Sequence, residues 1–573
     1  MFMKISSLVI ALLIPFFFPI LAKAQDYTTR KTASKKAKSY FEKARKKNRE
    51  GAFSEALEQA EKAIEKEPLF VDAYMLKGGI LYDIGNLAEA EKTFEEIISF
   101  AADYSKTTYY KLGLTELKQK KYTEAITHLE QFMIVQQRNT KTKANAKRHL
   151  ITAKFAAEAT KNPVPFTPQS LGAGINTPAQ EYLPAINAEG NELIFTRRIN
   201  RQEDFFVSQF QDGAWQEAVP ISTLNSPLSE GAHTLSADGR MLFFTGCNYP
   251  KGQGSCDLYL SVKEEDGWGA PMNLGPGINT DSWDGQPAFS ADGSQLFFSS
   301  DRPGSIGGRD LWKMQKNAAG KWTRPQNLGA TINTGGHEET PFIHPDGQTL
   351  YFTSKGHPGM GGADLFISRL QEDGSWGTPQ NLGYPINTEA NEGTMVVGLD
   401  GQKAYFARDA ANALGNSVTE DRQQVSEDLF QFDLYEAIRP HPATYVKAKV
   451  VDALTRRPIV AKVVFDALPN NEELVATSTY KDGTFLTCLP LGASYALHVE
   501  REGYLFHSEN FSLDSTRAGH EPFLLTIELQ RVPKTIAADT SETTPLSKPI
   551  ILKNIFFDTG SATLLPSSFA ELD

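Results

Sequence analysis

Residues Asp284–Asp301 read DGQPAFSADGSQLFFSSD, two apolar runs on either side of Asp292-Gly293. Asp-Gly between apolar runs is a strong hairpin signal, because the tight turn needs positive φ, which glycine adopts freely. Four more stretches align with it without gaps: EYLPAINAEGNELIFTRR from Glu181, EGAHTLSADGRMLFFTGC from Glu230, EETPFIHPDGQTLYFTSK from Glu338 and EGTMVVGLDGQKAYFARD from Glu392. The turn glycines Gly190, Gly239, Gly293, Gly347 and Gly401 follow at steps of 49, 54, 54 and 54 residues. A further apolar run comes after each hairpin (DFFVSQF, DLYLSV, DLWKMQ, DLFISRL, DLFQFDL). A Trp then opens a fourth segment, as in WGAPMNLGPGINT, WTRPQNLGATINT and WGTPQNLGYPINT, with WQEAVPISTLNS a looser copy. Four strands per repeat at this length predict the blades of a β-propeller.

The blade count follows from the ends. The fifth repeat lacks its fourth segment, but PFTPQSLGAGINT, Pro165–Thr177, stands before the first and matches WGTPQNLGYPINT at eight of thirteen positions. The N-terminal segment is therefore expected to complete the last blade and close a five-bladed ring over residues 163–440, burying edges that an open sheet would expose. The fifth repeat also carries a polar insertion, Ala410–Asp428, expected to protrude. Glu181, Glu230, Asp284, Glu338 and Glu392 recur at one register. A ring of acids suggests a catalytic or metal site. A hydrogen bond repeated in every blade accounts for it more simply, and no metal ligand set is assigned. The stretches SSDRPGSIGGRDLW and TSKGHPGMGGADLF resemble the WD40-like propeller repeats of bacterial envelope proteins such as TolB.

Residues 25–161 repeat at a helical period. Ala56, Ala90 and Ala125 are spaced 34 and 35 apart, as are Phe53, Leu87 and Tyr122. This resembles three tetratricopeptide (TPR) repeats, an all-α solenoid in which small residues let paired helices approach, large ones fill the groove between hairpins, and Pro68 closes the first unit. The concave face of such a stack commonly takes a segment of another protein. The region holds 26 Lys+Arg against 19 Asp+Glu, the remainder from Asn162 30 against 50, within a net charge of -11. That balance argues against nucleic-acid binding by the whole chain and leaves room for a local acidic partner.

Residues 1–24 carry Lys4, an apolar run from Leu8 to Leu21 and then Ala22-Lys23-Ala24, the pattern of a secretory signal cleaved between Ala24 and Gln25. Pro15 and Pro19 interrupt the run, which is short for a membrane span. No cysteine follows the cleavage point, so no lipoprotein anchor is expected. Export permits disulfides. Of the three cysteines, Cys247 and Cys256 flank the short loop CNYPKGQGSC and are expected to bridge it, leaving Cys488 a lone buried thiol.

Residues 443–531 read as short strands without repeat. Asp452, Thr455, Pro458, Asp482-Gly483, Phe485, Pro490, Gly492, Tyr495 and Gly503-Tyr504 resemble the carboxypeptidase regulatory-like domain, a small β-sandwich with no peptidase chemistry. Residues 532–549 form a Thr/Ser/Pro-rich linker. Residues 550–573, with Phe557-Asp558, Leu565-Pro566 and Leu572-Asp573, resemble the first strand and helix start of the α/β OmpA-like peptidoglycan-binding domain. The family's ligand-binding Asp and Arg lie beyond that segment, so this domain is expected to be truncated and residues 25–573 to bind no peptidoglycan.

No GxSxG elbow, P-loop, dinucleotide fingerprint or HExxH occurs. No cofactor is expected. The domain order resembles that of OmpA-family envelope proteins of the Bacteroidetes associated with type IX secretion. It implies a non-enzymatic periplasmic scaffold, associated with the outer membrane, that binds envelope or secretion-system proteins and, when complete, peptidoglycan. The alternative is a propeller-based envelope enzyme or glycan-binding sensor, which a deep pocket with converging Asp, His or Arg would favour.

Overall fold

The computed structural model describes residues 27–104, 106–136, 140–317, 320–409, 427–468, 472–513 and 522–532. The signal segment with Ala24 and Gln25, insertion residues 410–426, the linker after Val532 and residues 550–573 lie outside the described residues. The chain divides into two compact units, one ending at Lys154 and one beginning at Phe155.

The first unit is helical: α1 (Lys35–Arg49), α2 (Phe53–Lys66), α3 (Val71–Asp83), α4 (Leu87–Ala101), α5 (Thr107–Lys118), α6 (Tyr122–Val135) and α7 (Thr140–Ala159), whose end crosses the boundary. Ser34 caps α1, its hydroxyl accepting from the Ala37 amide. Successive helices pair as hairpins, α1 with α2, α3 with α4 and α5 with α6. Ala56, Ala90 and Ala125 are fully buried. Across the α3/α4 and α5/α6 seams the facing position is small for a measurable reason. A Cβ on Gly78 would lie 2.7 Å from the Phe94 ring, and one on Gly113 would lie 2.8 Å from Leu129. Of the large residues expected in the grooves, Leu87 and Tyr122 are half-buried, but Phe53 is exposed. All three open their helices, α2, α4 and α6, so helix position does not set Phe53 apart.

The second unit contains five antiparallel sheets of one plan. Blade 1 has strands Gln180–Ile186, Glu192–Ile199 and Gln202–Gln211; blade 2 has Ser229–Leu235, Met241–Cys247 and Cys256–Glu264. Blade 3 has Asp284–Phe289, Gln295–Ser300 and Asp310–Gln315; blade 4 has Glu338–Ile343, Thr349–Ser354 and Asp364–Arg369. Blade 5 has Met395–Val397, Lys403–Asp409 and Glu427–Asp433. The inner strand of each blade packs beside that of the next, and that of blade 5 beside that of blade 1, so the ring closes. Closure is by the chain's early segment: Gln169–Ser170 pairs with Gln431 and Phe430 as the outer strand of blade 5. The expected fourth strands are much shorter than the sequence pattern, only two residues each, as in Gln326–Asn327 and Gln380–Asn381. In both, the proline just before the pair has no N–H for the ladder.

Two further sheets follow. One has the order Thr484–Pro490, Ala443–Asp452, Phe523–Leu529; the other Glu472–Ser478, Lys462–Leu468, Ser494–Glu500, His507–Ser512. Val446, Val450, Val463, Phe465, Phe485, Leu497 and Ile527 fill the space between them. This sandwich does not stand apart from the propeller but belongs to the same compact unit. Arg240, at the inner hairpin turn of blade 2, lies 4.0 Å over the Tyr480 ring and donates to Asp482 at 3.3 Å and Thr484 at 3.1 Å. Tyr480 donates its hydroxyl to Asp238 at 2.6 Å, and Lys447 reaches Glu189 in the blade 1 turn at 2.6 Å.

Candidate functional site

The five inner strands turn their free edges toward the ring's centre. An edge facing a channel leaves N–H groups unpaired, and Pro184, Pro287 and Pro341 remove one of them in three blades. The residue before each proline, and Ala232 in blade 2, has positive φ: Leu183 55°, Ala232 46°, Gln286 53° and Thr340 49°. At these points the pairing register with the second strand shifts, a β-bulge repeated in four blades. Leu183, Ala232, Gln286 and Thr340, with Thr394 of blade 5, line both of two cavities and so form the waist between them.

Beyond the waist, on the side of the inner hairpin turns, the channel is walled by Ala185, Ile186, Leu235, Ala288, Phe342 and Val396, and the sandwich closes it with Cys488. Burial pushes that thiol well above its usual range. The other side opens as a mouth of about 360 Å³ bordered by Tyr182, Glu203, Trp283 and Glu427. His233 belongs to the inner strand of blade 2, but its ring lies edge-on to Phe205 of blade 1 at 4.9 Å, between blades.

The recurrent acids do not meet. Glu181, Glu230, Asp284, Glu338 and Glu392 are each buried and each accepts the backbone N–H, and at 2.5–2.8 Å the hydroxyl, of a Thr or Ser four residues earlier. They tie the loop between blades to the next inner strand. Three are also paired with arginine: Arg197 to Glu181 at 2.7 Å, Arg302 to Asp284 at 2.5 Å and Arg408 to Glu392 at a looser 3.7 Å. Burial, abetted by nearby Asp364, lifts Glu392 to about 8, while burial lifts Asp364 itself to about 6. In blade 2, Tyr249 donates to Glu230 at 2.5 Å from inside the loop between Cys247 and Cys256, which are joined as a disulfide.

A second repeated element has no counterpart in the sequence reading. Asn176, Asn225, Asn279, Asn333 and Asn387 each clamp one backbone residue of a third strand (Leu429, Phe205, Leu258, Leu311 and Leu365), accepting at 2.8 Å and donating at 2.8–3.0 Å. The signal was available: Asn recurs in the INT that ends four of the fourth segments and in the Leu224-Asn225-Ser226 that ends the other. The glycines of the loops joining second and third strands are likewise positional. A Cβ on Gly254, Gly307 or Gly362 would come within 2.0–2.2 Å of a carbonyl oxygen in the adjoining inter-blade loop.

Among the described residues no group of three His, Cys, Asp or Glu is arranged to hold a metal ion. No described helix is long and apolar enough to cross a membrane.

Fold and site together define a repeat protein: a helical-repeat unit, then a closed β-propeller with a sandwich over one end of its channel. Residues 37–106 match the tetratricopeptide repeat family. Among solved structures, the chain is similar to MamA (residues 41 to the end) from Desulfovibrio magneticus RS-1, at 23% identity over 22% of this chain and 70% of that one, with a TM-score of 0.21. It is similar to TolB from Acinetobacter baumannii at 13% identity, over 51% of this chain and 70% of that one, TM-score 0.29. It is also similar to the α-L-arabinofuranosidase PaAbf62A from Podospora anserina, in complex with cellotriose, at 11% identity over 47% and 96%, TM-score 0.32. No curated protein sequence matches the chain.

Proposed function

We propose that this protein is a non-enzymatic scaffold of the cell envelope. The observation that carries the reading is the series of interaction modules: stacked TPR hairpins followed by a closed ring whose channel the sandwich caps at one end. Repeat faces and exposed loops on a rigid frame favour binding over turnover. Each of the five acids enters a hydrogen bond that ties a loop to a strand, which supports a structural part for them. The signal pattern of residues 1–24 and the disulfide agree with an exported, periplasmic location.

The finer reading rests on the domain order, which resembles PorE, an OmpA-family component associated with type IX secretion. In it the helical repeats and the propeller bind envelope or secretion-system proteins, and a complete domain of the kind that residues 550–573 resemble holds peptidoglycan near the outer membrane. Affinity capture from an envelope extract tests it. Recovery of the same envelope proteins by the full chain, and their loss from a chain lacking residues 25–161 or 163–440, is the expected result. Capture of no envelope protein would overturn it.

A further inference from the structure

We propose that the lysine-bearing face of α1 lays the helical unit against an anionic phospholipid surface. This rests on the envelope reading and names the chemistry that would hold the scaffold to a membrane.

From Arg30 to Arg49 the chain carries ten Lys or Arg and one acid, Glu42. Ala37, Phe41 and Ala44 form the buried side of α1. Helical spacing sets the other side: Lys35, Lys36, Ser39, Lys43 and Lys46 follow one another along adjacent turns, and all are exposed. The stripe runs about 16 Å. Lys31 before it and Arg49 after it are exposed as well. Helices α3 and α5 pack on the hairpin before them, through α2 and α4, whereas no described helix precedes α1. A terminal repeat needs a polar outer face for solubility, and interspersed charges of both signs supply one. A face of one sign goes beyond that need.

Nearby carboxylates do not neutralise the face. Glu42 is taken by Arg30 at 2.7 Å and Arg45 at 3.1 Å. Glu55 of α2 takes Lys47 at 2.7 Å, and Glu50 meets Lys46 and Lys47 only at 3.8 Å. Farther along α2, Glu58 pairs with Lys62 and Glu61 with Lys77. Among the described residues, Lys31, Lys35, Lys36 and Lys43 form no ion pair. Lys38 donates to the Lys31 carbonyl, and Lys43 nears the Tyr40 ring at 5.6 Å; both keep their charge.

The composition of the face selects its occupant. Protein interfaces centre on aromatic and arginine side chains and are poor in lysine. Here none of the exposed residues of α1 is apolar, and seven of the ten cations are lysines. A compact ammonium on a flexible stem suits diffuse negative charge, which asks for no fixed fork of donors. An anionic bilayer presents such charge, and each lysine brought to it counts about fivefold in binding. From Asn162 onward there are 30 Lys+Arg against 50 Asp+Glu, so the attraction belongs to the helical unit.

The test uses residues 25–573, which keep every described residue and omit the apolar run Leu8–Leu21 that would itself enter lipid. Co-sedimentation is measured with vesicles of phosphatidylcholine, with and without about 30% phosphatidylglycerol. The anionic vesicles should bind at least tenfold more tightly, and raising salt from 0.05 to 0.5 M should abolish the difference. Lys35→Glu/Lys36→Glu/Lys43→Glu should lose at least tenfold while its thermal unfolding stays like that of the parent. Lys141→Glu/Lys147→Glu/Lys154→Glu, an equal change of charge on α7, should stay within twofold of the parent. Equal binding to both vesicles, equal losses in the two variants, or no binding to either vesicle would each overturn the inference. So would tighter binding to duplex DNA or to octaglutamate than to the anionic vesicles at equal negative charge. Envelope capture is run in detergent, without a bilayer, so the scaffold reading can survive that failure.

Discussion

Replacing His233 by methionine removes the one imidazole at the junction of blades 1 and 2. The register shows what that position tolerates: its counterparts are Pro184, Pro287, Pro341 and Met395. The ring packs edge-on to Phe205, and neither nitrogen has a hydrogen-bond partner of normal geometry. Burial pushes the ring down to about 4, and the Ile194 backbone offsets this only in part. In the unfolded chain the ring protonates near its ordinary value of about 6.5. Between those values the unfolded chain binds a proton that the folded chain refuses. The stabilising effect is therefore complete above about pH 6.5 and lost as pH falls toward 4. The gap is worth about 3 kcal/mol in full, and ~2–3 kcal/mol at pH 4.5. Carboxylates titrate over the same range, but they do so equally in parent and variant. Urea unfolding, followed by tryptophan fluorescence at pH 7.5 and 4.5, isolates the difference. The parent should lose ~2–3 kcal/mol more than His233→Met across that interval. Parallel losses within about 0.5 kcal/mol would refute the account of a buried neutral ring.

The acid register yields a contrast. Asp284→Asn strands Arg302 beside a neutral amide and should cost about 3 kcal/mol in the same assay. Glu392→Gln, where Arg408 stands off at 3.7 Å, should cost much less at pH 7 and approach neutrality at pH 9. The sign follows from a carboxyl lifted from about 4.5 to about 8: as pH rises between those values the unfolded chain loses a proton that the folded chain keeps, so the parent's penalty grows across that interval and is complete only above about pH 8. Asn176→Ala removes both bonds that clamp Leu429 at the ring closure and should cost about 2–3 kcal/mol; an unchanged urea midpoint would show that the seam is held elsewhere. Arg240→Ala deprives the sandwich of its contacts with Tyr480, Asp482 and Thr484. Cys488, the cap of the channel, should then react with a small thiol reagent at least tenfold faster in the native state. An unaltered rate would mean that other contacts suffice to seat the sandwich.

Local chemistry was legible wherever a short stretch decides its own conformation. Asp-Gly turns mark hairpins because few residues accept positive φ, and four of them with Glu189-Gly190, at nearly constant steps, define the blades. Ring closure was equally legible, since Pro165–Thr177 copies a segment that the last repeat lacks, and a copy must sit where its originals sit. Small residues at a period near 34 announced paired helices, because close approach leaves little room beyond the Cβ of Ala56, Ala90 and Ala125. The recurrent acids were also interpretable as a repeated hydrogen bond, since one acid per repeat at one register suits a bond made once per repeat.

What the tertiary structure alone decided are matters of convergence. The strand edges, the waist and the mouth exist only when five distant segments meet; Glu203 and Glu427 share one register, each just before the Asp that recurs in the third strands, and only the closed ring brings them to one opening. His233 looks in sequence like any strand histidine; its burial comes from Phe205 in the blade before it. The docking of the sandwich depends on Arg240 and Tyr480, 240 residues apart, finding each other at one end of the ring. Sequence patterns report conformational preferences of neighbours along the chain, whereas enclosure, charge balance and access depend on which surfaces pack together in three dimensions.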